Sequence, residues 1–289
     1  MLTAAHEGLL MWFNNVLPAL LPFMIITNML ISLGFAQLIG QILSPAMKLV
    51  FGLPGAGGVA LIIGLTSGYP IGAKAVADLQ KAGELSTRDA QHLLAFCNNA
   101  GPLFILGVVG VGLFGSSTVG YILWIGHILS AIFLGILLRK NNEEKSKATP
   151  TIITFHRKKS NIRLGEIMGG SVKNAMESMI VIGGLIVFFS AIMAVLEEIG
   201  FPDTGVFAGL LAGIIEVTSG VRDISNAGIS VYSIGTAAFI IAFGGMSIHM
   251  QTFHFIDKIG IKPQYYIFNK FLHGIFAAII TTLLWLIFK

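Results

Sequence analysis

Two apolar runs, residues 121–138 and 271–288, are each about 18 residues long and are broken by nothing more polar than a histidine or a small hydroxyl group. Their length matches the hydrocarbon thickness that one helix must cross. Such runs have one stable home, because a bilayer leaves backbone N–H and C=O groups no partner outside their own helix or a closed barrel. The composition agrees: 55% of the 289 residues are hydrophobic and 11% are charged, against about 25% charged residues in a soluble domain. The chain is therefore read as an all-α polytopic membrane protein. Cys97 is the single cysteine, which excludes an intrachain disulfide scaffold and leaves thiol redox chemistry without a pair. The net charge of +4 does not point to nucleic acid, since 8 of the 18 basic residues fall between Arg139 and Arg163. Basic residues gathered in one polar stretch mark a cytoplasmic loop under the positive-inside rule.

Residues 9–33 and 179–196 read as two further crossings. The first contains Asn14, Asn15, Pro18 and Pro22, and the second ends in Glu197 and Glu198. Other apolar segments are too short. Residues 56–67 make roughly 18 Å of helix against about 30 Å of hydrocarbon. They stop at Thr66-Ser67-Gly68-Tyr69-Pro70 before Lys74, Asp78 and Lys81, so a re-entrant hairpin is expected. Residues 205–218 have the same build and stop at Thr218-Ser219-Gly220 before Arg222 and Asp223. Residues 87–115 are interrupted by Asn98-Asn99-Ala100-Gly101-Pro102, and residues 232–256 by Gly244-Gly245-Met246-Ser247. Both are expected to be broken helices, whose freed backbone groups survive in a membrane only where protein or a watery cavity satisfies them. Residues 35–51, with Gln37, Gln41, Pro45 and Lys48, read as an interfacial helix. No cleavable signal peptide is expected, because His6 and Glu7 stand where Lys or Arg would precede the apolar core.

These elements repeat. Thr66-Ser67-Gly68 precedes Thr218-Ser219-Gly220 by 152 residues, and His127 precedes His273 by 146. The expected architecture is an inverted repeat of transmembrane helix, re-entrant hairpin, broken transmembrane helix and transmembrane helix. Residues 1–138 form the first repeat, 139–165 the basic cytoplasmic linker and 166–289 the second repeat. Inversion follows because three crossings per half are an odd number. A cytoplasmic linker then places Lys48, Lys81, Arg88, Lys258 and Lys262 inside. Arg222, Lys289, Glu7, Glu197, Glu198, Asp203 and both termini fall outside.

The run Gly64-Leu65-Thr66-Ser67-Gly68-Tyr69-Pro70-Ile71-Gly72-Ala73-Lys74, followed by Phe96-Cys97-Asn98-Asn99-Ala100-Gly101-Pro102-Leu103-Phe104, resembles the YlbJ-type sporulation integral membrane proteins. Trp12-Phe13 and Val16-Leu17-Pro18-Ala19-Leu20-Leu21-Pro22-Phe23 add to the match. That group belongs with the nucleoside-recognition, or Gate, domains, which resemble the transport core of concentrative nucleoside transporters. The resemblance implies an inverted-repeat transporter whose hairpin tips and unwound helices surround a midplane site. It also implies dipicolinate as the cargo, moved across a forespore membrane within the bacterial inner, or cytoplasmic, membrane system. The nucleoside transporters' extra scaffold helices have no counterpart here, so a homo-oligomer stays open.

Helix breaks expose N–H groups at the positive end of the helix dipole, where anions are attracted. Thr66, Ser67 and Gly68, with Thr218, Ser219 and Gly220, are candidate ligand or ion contacts; the plainer reading is that the hydroxyls cap short helices. Lys74 and Arg222, each within two turns of a tip, are candidates for receiving a carboxylate, unless each simply pairs with its neighbour Asp78 or Asp223. Asn98 and Asn99 offer amide oxygens at a break, and a Na⁺ site between them and Thr66 or Ser67 is expected if coupling is to sodium. Helix-to-helix hydrogen bonding is the alternative. Glu216, in an otherwise apolar helix, is the candidate for proton coupling or for helping to hold Na⁺, against a structural ion pair with Arg222 or Lys173. Lys173 and Glu177 have the i,i+4 spacing of a structural pair. Ser247 and His249 at the second break are substrate-contact candidates, whereas His127 and His273 read as packing hydrogen bonders. His249 and His254 do not share a helix face, so no metal site is expected. No cofactor is expected beyond a coupling Na⁺ or H⁺.

The expected function is transport of a small organic solute, anionic or carboxylate-bearing, by alternating access between the tips. A nucleoside carrier and a non-transporting sporulation assembly factor are the alternatives. An intramembrane protease built on Ser67 is disfavoured, because the repeat supplies an equivalent Ser219 that a single nucleophile does not need. The expected partners are the small-molecule substrate and the lipid bilayer, with no nucleic acid.

Overall fold

The computed structural model describes residues 1–33, 35–139, 164–200 and 205–289, the side chains of 35–37 excepted. Nearly all of the basic linker, with Asp203 and the Gln37 side chain, lies outside the described residues. What is described is helical throughout, without strands, and five of its helices are long and apolar enough to cross a membrane.

Leu2–Met11 (α1) and Leu17–Ser32 (α2) run on through a wide π turn at Trp12–Val16 as one helix of 31 residues. The Leu17 N–H reaches back to the carbonyl of Trp12. The register thus widens just ahead of Pro18, which has no N–H to give. Phe35–Ala46 (α3), extended by the wide turn Met47–Phe51, exposes Leu38, Ile42 and Leu49 while burying Met47 and Phe51. Gly40 lets its backbone lie directly on Gly55 and Ala56.

Gly57–Thr66 (α4) and Ile71–Lys81 (α5) pack against each other across a turn containing a cis Tyr69–Pro70 bond. Thr87–Cys97 (α6) starts on a Ser86 cap and stops at Asn98; a π-helical segment, Leu103–Leu113, resumes after Pro102. Ser117–Leu137 (α7) follows, again capped by a serine, Ser116. Six more α-helices follow among the described residues beyond the linker. Leu164–Glu198 (α8) is a 35-residue helix lying along α1 and α2. Trp12 donates its indole N–H to the Met179 carbonyl at 3.0 Å and covers Gly183. Val206–Ile215 (α9) and Val217–Asn226 (α10) pack against each other. Val231–Phe243 (α11) and Gly245–Ile256 (α12) meet at Gly244 and Gly245, both at positive φ, and Pro263–Phe288 (α13) closes the chain.

Two contacts differ from the expected spans. α8 begins about four turns before residue 179, since Ser171, Ala175 and Ser178 are buried against neighbours rather than lipid. The second reversal falls at Glu216, so Thr218-Ser219-Gly220 forms the opening turn of α10 instead of the tip.

Cavities and ion pairs sort the helix ends. A cavity of about 280 Å³ is lined by Ser32 at the end of α2, Asp78 and Lys81 at the end of α5, and Glu166 at the start of α8. A second, of about 140 Å³, joins Gly52, Arg88, Leu138 and Tyr265. Linker ends, the first helix pair's base and the α12–α13 turn therefore share one end of the bundle. At the other end Arg222 of α10 pairs with Glu197 of α8 at 3.3 Å.

Candidate functional site

Glycine sets how closely each short helix pair approaches its broken helix. A Cβ on Gly64 or Gly72 would run into the carbonyl of Cys97, the last residue of α6, and a Cβ on Gly68 would meet Gly101. In the second half a Cβ on Gly220 would overlap Gly213, while Gly245 lies against the carbonyls of Gly213 and Ile215. The first tip thus rests on the first break and the second tip on the second. Only hydrogen-sized side chains permit backbone-to-backbone packing of this kind.

Three backbone groups freed at the first break find partners from different elements. The Asn99 carbonyl accepts the Tyr69 N–H at 2.5 Å, from the tip. Ala100 donates its N–H to His127 Nε2 at 3.1 Å, from α7. The Asn98 carbonyl accepts from Lys270 Nζ at 2.9 Å, from α13. The Asn98 side chain is spoken for as well: Oδ1 accepts the Ala73 N–H at 3.2 Å, and Nδ2 donates to Tyr266 Oη at 2.7 Å and Thr252 Oγ1 at 3.0 Å. Lys270 Nζ also bonds His273 Nδ1 at 2.9 Å. These side chains are all buried, so the break is held by a polar network drawn from several helices.

Other buried polar atoms are left open. Asn99 Oδ1, Tyr69 Oη, Ser247 Oγ and both ring nitrogens of His249 have no hydrogen-bond partner among the described residues. Ser247 and His249 stand in the first turns of α12, whose Gly244 cap supplies no side chain to the helix N-terminus. The imidazole of His249 packs between Phe243, at 4.6 Å between ring centroids, and Tyr266, at 5.3 Å. A buried polar atom without a partner costs about 1–3 kcal/mol; these five lie around the two helix breaks, and Asn269, Thr281 and Trp285 hold others along α13.

The sequence candidates are distributed unevenly around this centre. Asn98, Asn99, Gly68, Ser247 and His249 lie at the breaks, and Gly220 backs the second tip. Thr66 is exposed and its hydroxyl donates to the Ile62 carbonyl of its own helix at 2.8 Å, while Ser67 is half-buried in the turn. Glu216 caps α10, accepting the N–H groups of Thr218 and Ser219 at 3.0 and 2.7 Å. The two residues thus present backbone donors to Glu216. Lys74 is buried and bonds Asp78 and Asn28, each at 2.6 Å. Both partners line the larger cavity. Arg222 is half exposed at the far end, against Glu197 and Asp223. Lys173 and Glu177 lie on the exposed face of α8. Lys270, Tyr266 and Thr252 are central residues that the sequence reading passed over. Lys270 sits one position before the apolar run 271–288 and three before His273, and that i,i+3 pairing was the available signal.

The nucleoside-recognition (Gate) family model matches residues 13–117, a stretch that contains the first tip and the first break. The sporulation integral membrane protein YlbJ of Bacillus subtilis (strain 168) is 30% identical to the chain, over 98% of the chain and 77% of YlbJ. No solved structure matches the chain. An apolar helical bundle with two interrupted helices, joined to that extent of identity, makes the chain an integral membrane protein of the YlbJ sporulation family.

Proposed function

We propose that the chain is a membrane transporter of a small carboxylate-bearing solute, working by alternating access around the two helix breaks. Ser247 and His249 at the uncapped start of α12 carry this reading: they are buried, unpartnered and set at the positive end of a helix dipole. The corresponding end of α10 is already filled by the Glu216 carboxylate, which leaves α12 as the end that can receive an anion. Each half has its hairpin seated on its own break, and the hairpin bases lie toward opposite ends of the bundle. Both features support an inverted repeat with re-entrant hairpins, a cytoplasmic linker at 139–165 and both termini outside. Dipicolinate, with two carboxylates on a pyridine ring, suits a site combining a helix N-terminus with an imidazole, and sporulation is where the relative's name places it.

Glu216 favours a second reading. A carboxylate at the second tip suits a solute rich in hydroxyl groups, such as a nucleoside.

Uptake into proteoliposomes loaded with purified protein decides among these. Labelled dipicolinate is expected to accumulate and labelled uridine not to; accumulation of uridine alone selects the second reading, and accumulation of neither selects an assembly role. Ser247→Ala and His249→Gln should each raise the apparent KM for dipicolinate at least tenfold. In the same assay Lys74→Ala should lower the rate about fivefold, because its buried ammonium sits beneath the cavity at the linker end. Arg222→Ala should change it less than twofold, since a half-exposed ion pair contributes about 0–1 kcal/mol.

A further inference from the structure

The outer face of α8 carries two opposite charges at lipid depth. Lys173 and Glu177 are exposed, and neither forms a hydrogen bond or an ion pair among the described residues. The i,i+4 pair that their spacing suggests is not made. Their depth is fixed by the helix on the other side of α8: Asn28 donates its side-chain amide to the Ser171 carbonyl at 3.1 Å, and Trp12 donates to the Met179 carbonyl at 3.0 Å. The turn between those two bonds runs beside the apolar residues 16–26 of that neighbour. Charged side chains at such a depth are rare unless they meet a partner or serve a function.

The same face has the build of a seam between helices. Lys173, Glu177, Ile180, Gly184 and Phe188 follow one another at intervals of four, three, four and four residues, and all five are exposed. Intervals of three and four keep side chains on one stripe along a helix. A Cβ on Gly184 would meet nothing within 4 Å, so the backbone there is open to a second helix. The neighbours α1, α2 and α12 leave this stripe uncovered.

We propose that the stripe is a dimer interface, and that the partner it fits is the same stripe of a second copy of the chain. The inference is independent of the transporter reading. Copies inserted alike in one membrane are related by a twofold axis along the bilayer normal, and such a contact sets each residue opposite its own counterpart. Lys173 of one copy then lies one turn from Glu177 of the other, within reach of a lysine side chain. Two lysines and two glutamates meet at one level with no net charge. Polar contacts and close backbone approach are what hold membrane helices together, because apolar side chains gain nothing by leaving lipid for one another. A foreign partner would have to supply both charges in the matching order, whereas a second copy supplies them by symmetry.

Disulfide trapping in native membranes reads the contact directly, because the only native thiol, Cys97, has no accessible surface. Ile180→Cys should give at least tenfold more covalent dimer under mild oxidation than Leu129→Cys, a position 45% exposed on α7. In liposomes, energy transfer between labelled copies of the full chain distinguishes a bond between copies from one within a helix. Lys173→Glu alone and Glu177→Lys alone should each weaken association at least tenfold, since one seam becomes wholly acidic and the other wholly basic. Mixing the two variants should restore association to within threefold of the wild type, which an intrahelical pair does not predict. A monomeric wild type, association indifferent to both reversals, or no rescue on mixing overturns the proposal. So does an Ile180→Cys product whose mass is not that of two chains, which assigns the face to a different protein. Should a charge reversal fail to accumulate, the trapping result decides.

Discussion

Gly220→Ala is expected to prevent the folded protein from accumulating, or to lower its melting temperature in detergent by roughly 6–12 °C. The added methyl would land on the Cα and N of Gly213 and within 2.6 Å of the Gly209 carbonyl. All three are backbone atoms of α9, so no rotamer change relieves the overlap. The helices must separate along their whole contact. Overpacking of this kind costs about 1–3 kcal/mol, and more when backbone has to move, which places Gly220→Ala at about 3 kcal/mol. Separation would also lift Ile215 and Val217, on either side of the Glu216 cap, away from Gly245, so uptake should fall further than stability alone explains. Gly169→Ala is the control. Nothing lies within 4 Å of a Cβ built there, and alanine improves an exposed helical position by up to about 1 kcal/mol, so its melting temperature should be unchanged or slightly raised.

Asn98→Ala has the second large effect. It removes one acceptor and two donor bonds at a single buried point, stranding the Ala73 N–H and leaving Tyr266 and Thr252 only a weak contact with each other at 3.4 Å. With about 1–3 kcal/mol for each unsatisfied group, a loss of about 4 kcal/mol is expected, with uptake abolished because the break loses its register against α5. Tyr266→Phe alone removes the Asn98 bond and the long contact with Thr252 from the same hub and should cost about 1 kcal/mol. The double variant should cost less than the sum of the two by about 1 kcal/mol, the signature of groups that share a network. Strict additivity in a thermal-unfolding cycle would show that the hub is not a unit.

Much of the helical plan is readable from the chain because lipid enforces it. The runs 121–138 and 271–288 are apolar on all sides, and Asn98-Asn99-Ala100-Gly101-Pro102 supplies hydrogen-bonding side chains, a flexible residue and a proline where a helix has to stop. The hidden parts are those where protein replaces lipid. α13 begins at Pro263, eight positions before its apolar run, because Tyr266, Asn269 and Lys270 are buried against other helices. Hydropathy scores such residues as loop, and so the lysine at the centre of the network escaped notice. The Thr-Ser-Gly likeness misplaced the second reversal for a related reason. In the first half the triplet ends α4, whereas in the second Glu216 caps the following helix and draws the triplet inside it. The packing glycines are alike in the two helix pairs: Gly64 meets Gly72 as Gly213 meets Gly220.

Cys97, whose carbonyl receives Gly64 and Gly72, has no accessible surface and is the only thiol in the chain. The unaltered protein therefore serves as its own blank for maleimide footprinting: a reagent confined to one face of a sealed vesicle should label cysteines introduced at Arg139 or at Arg222, but not both. The native sulfur is equally informative while it stays silent. It lies beside the first interruption, so slow alkylation there, quickened by alkali, would clock how often that joint swings ajar.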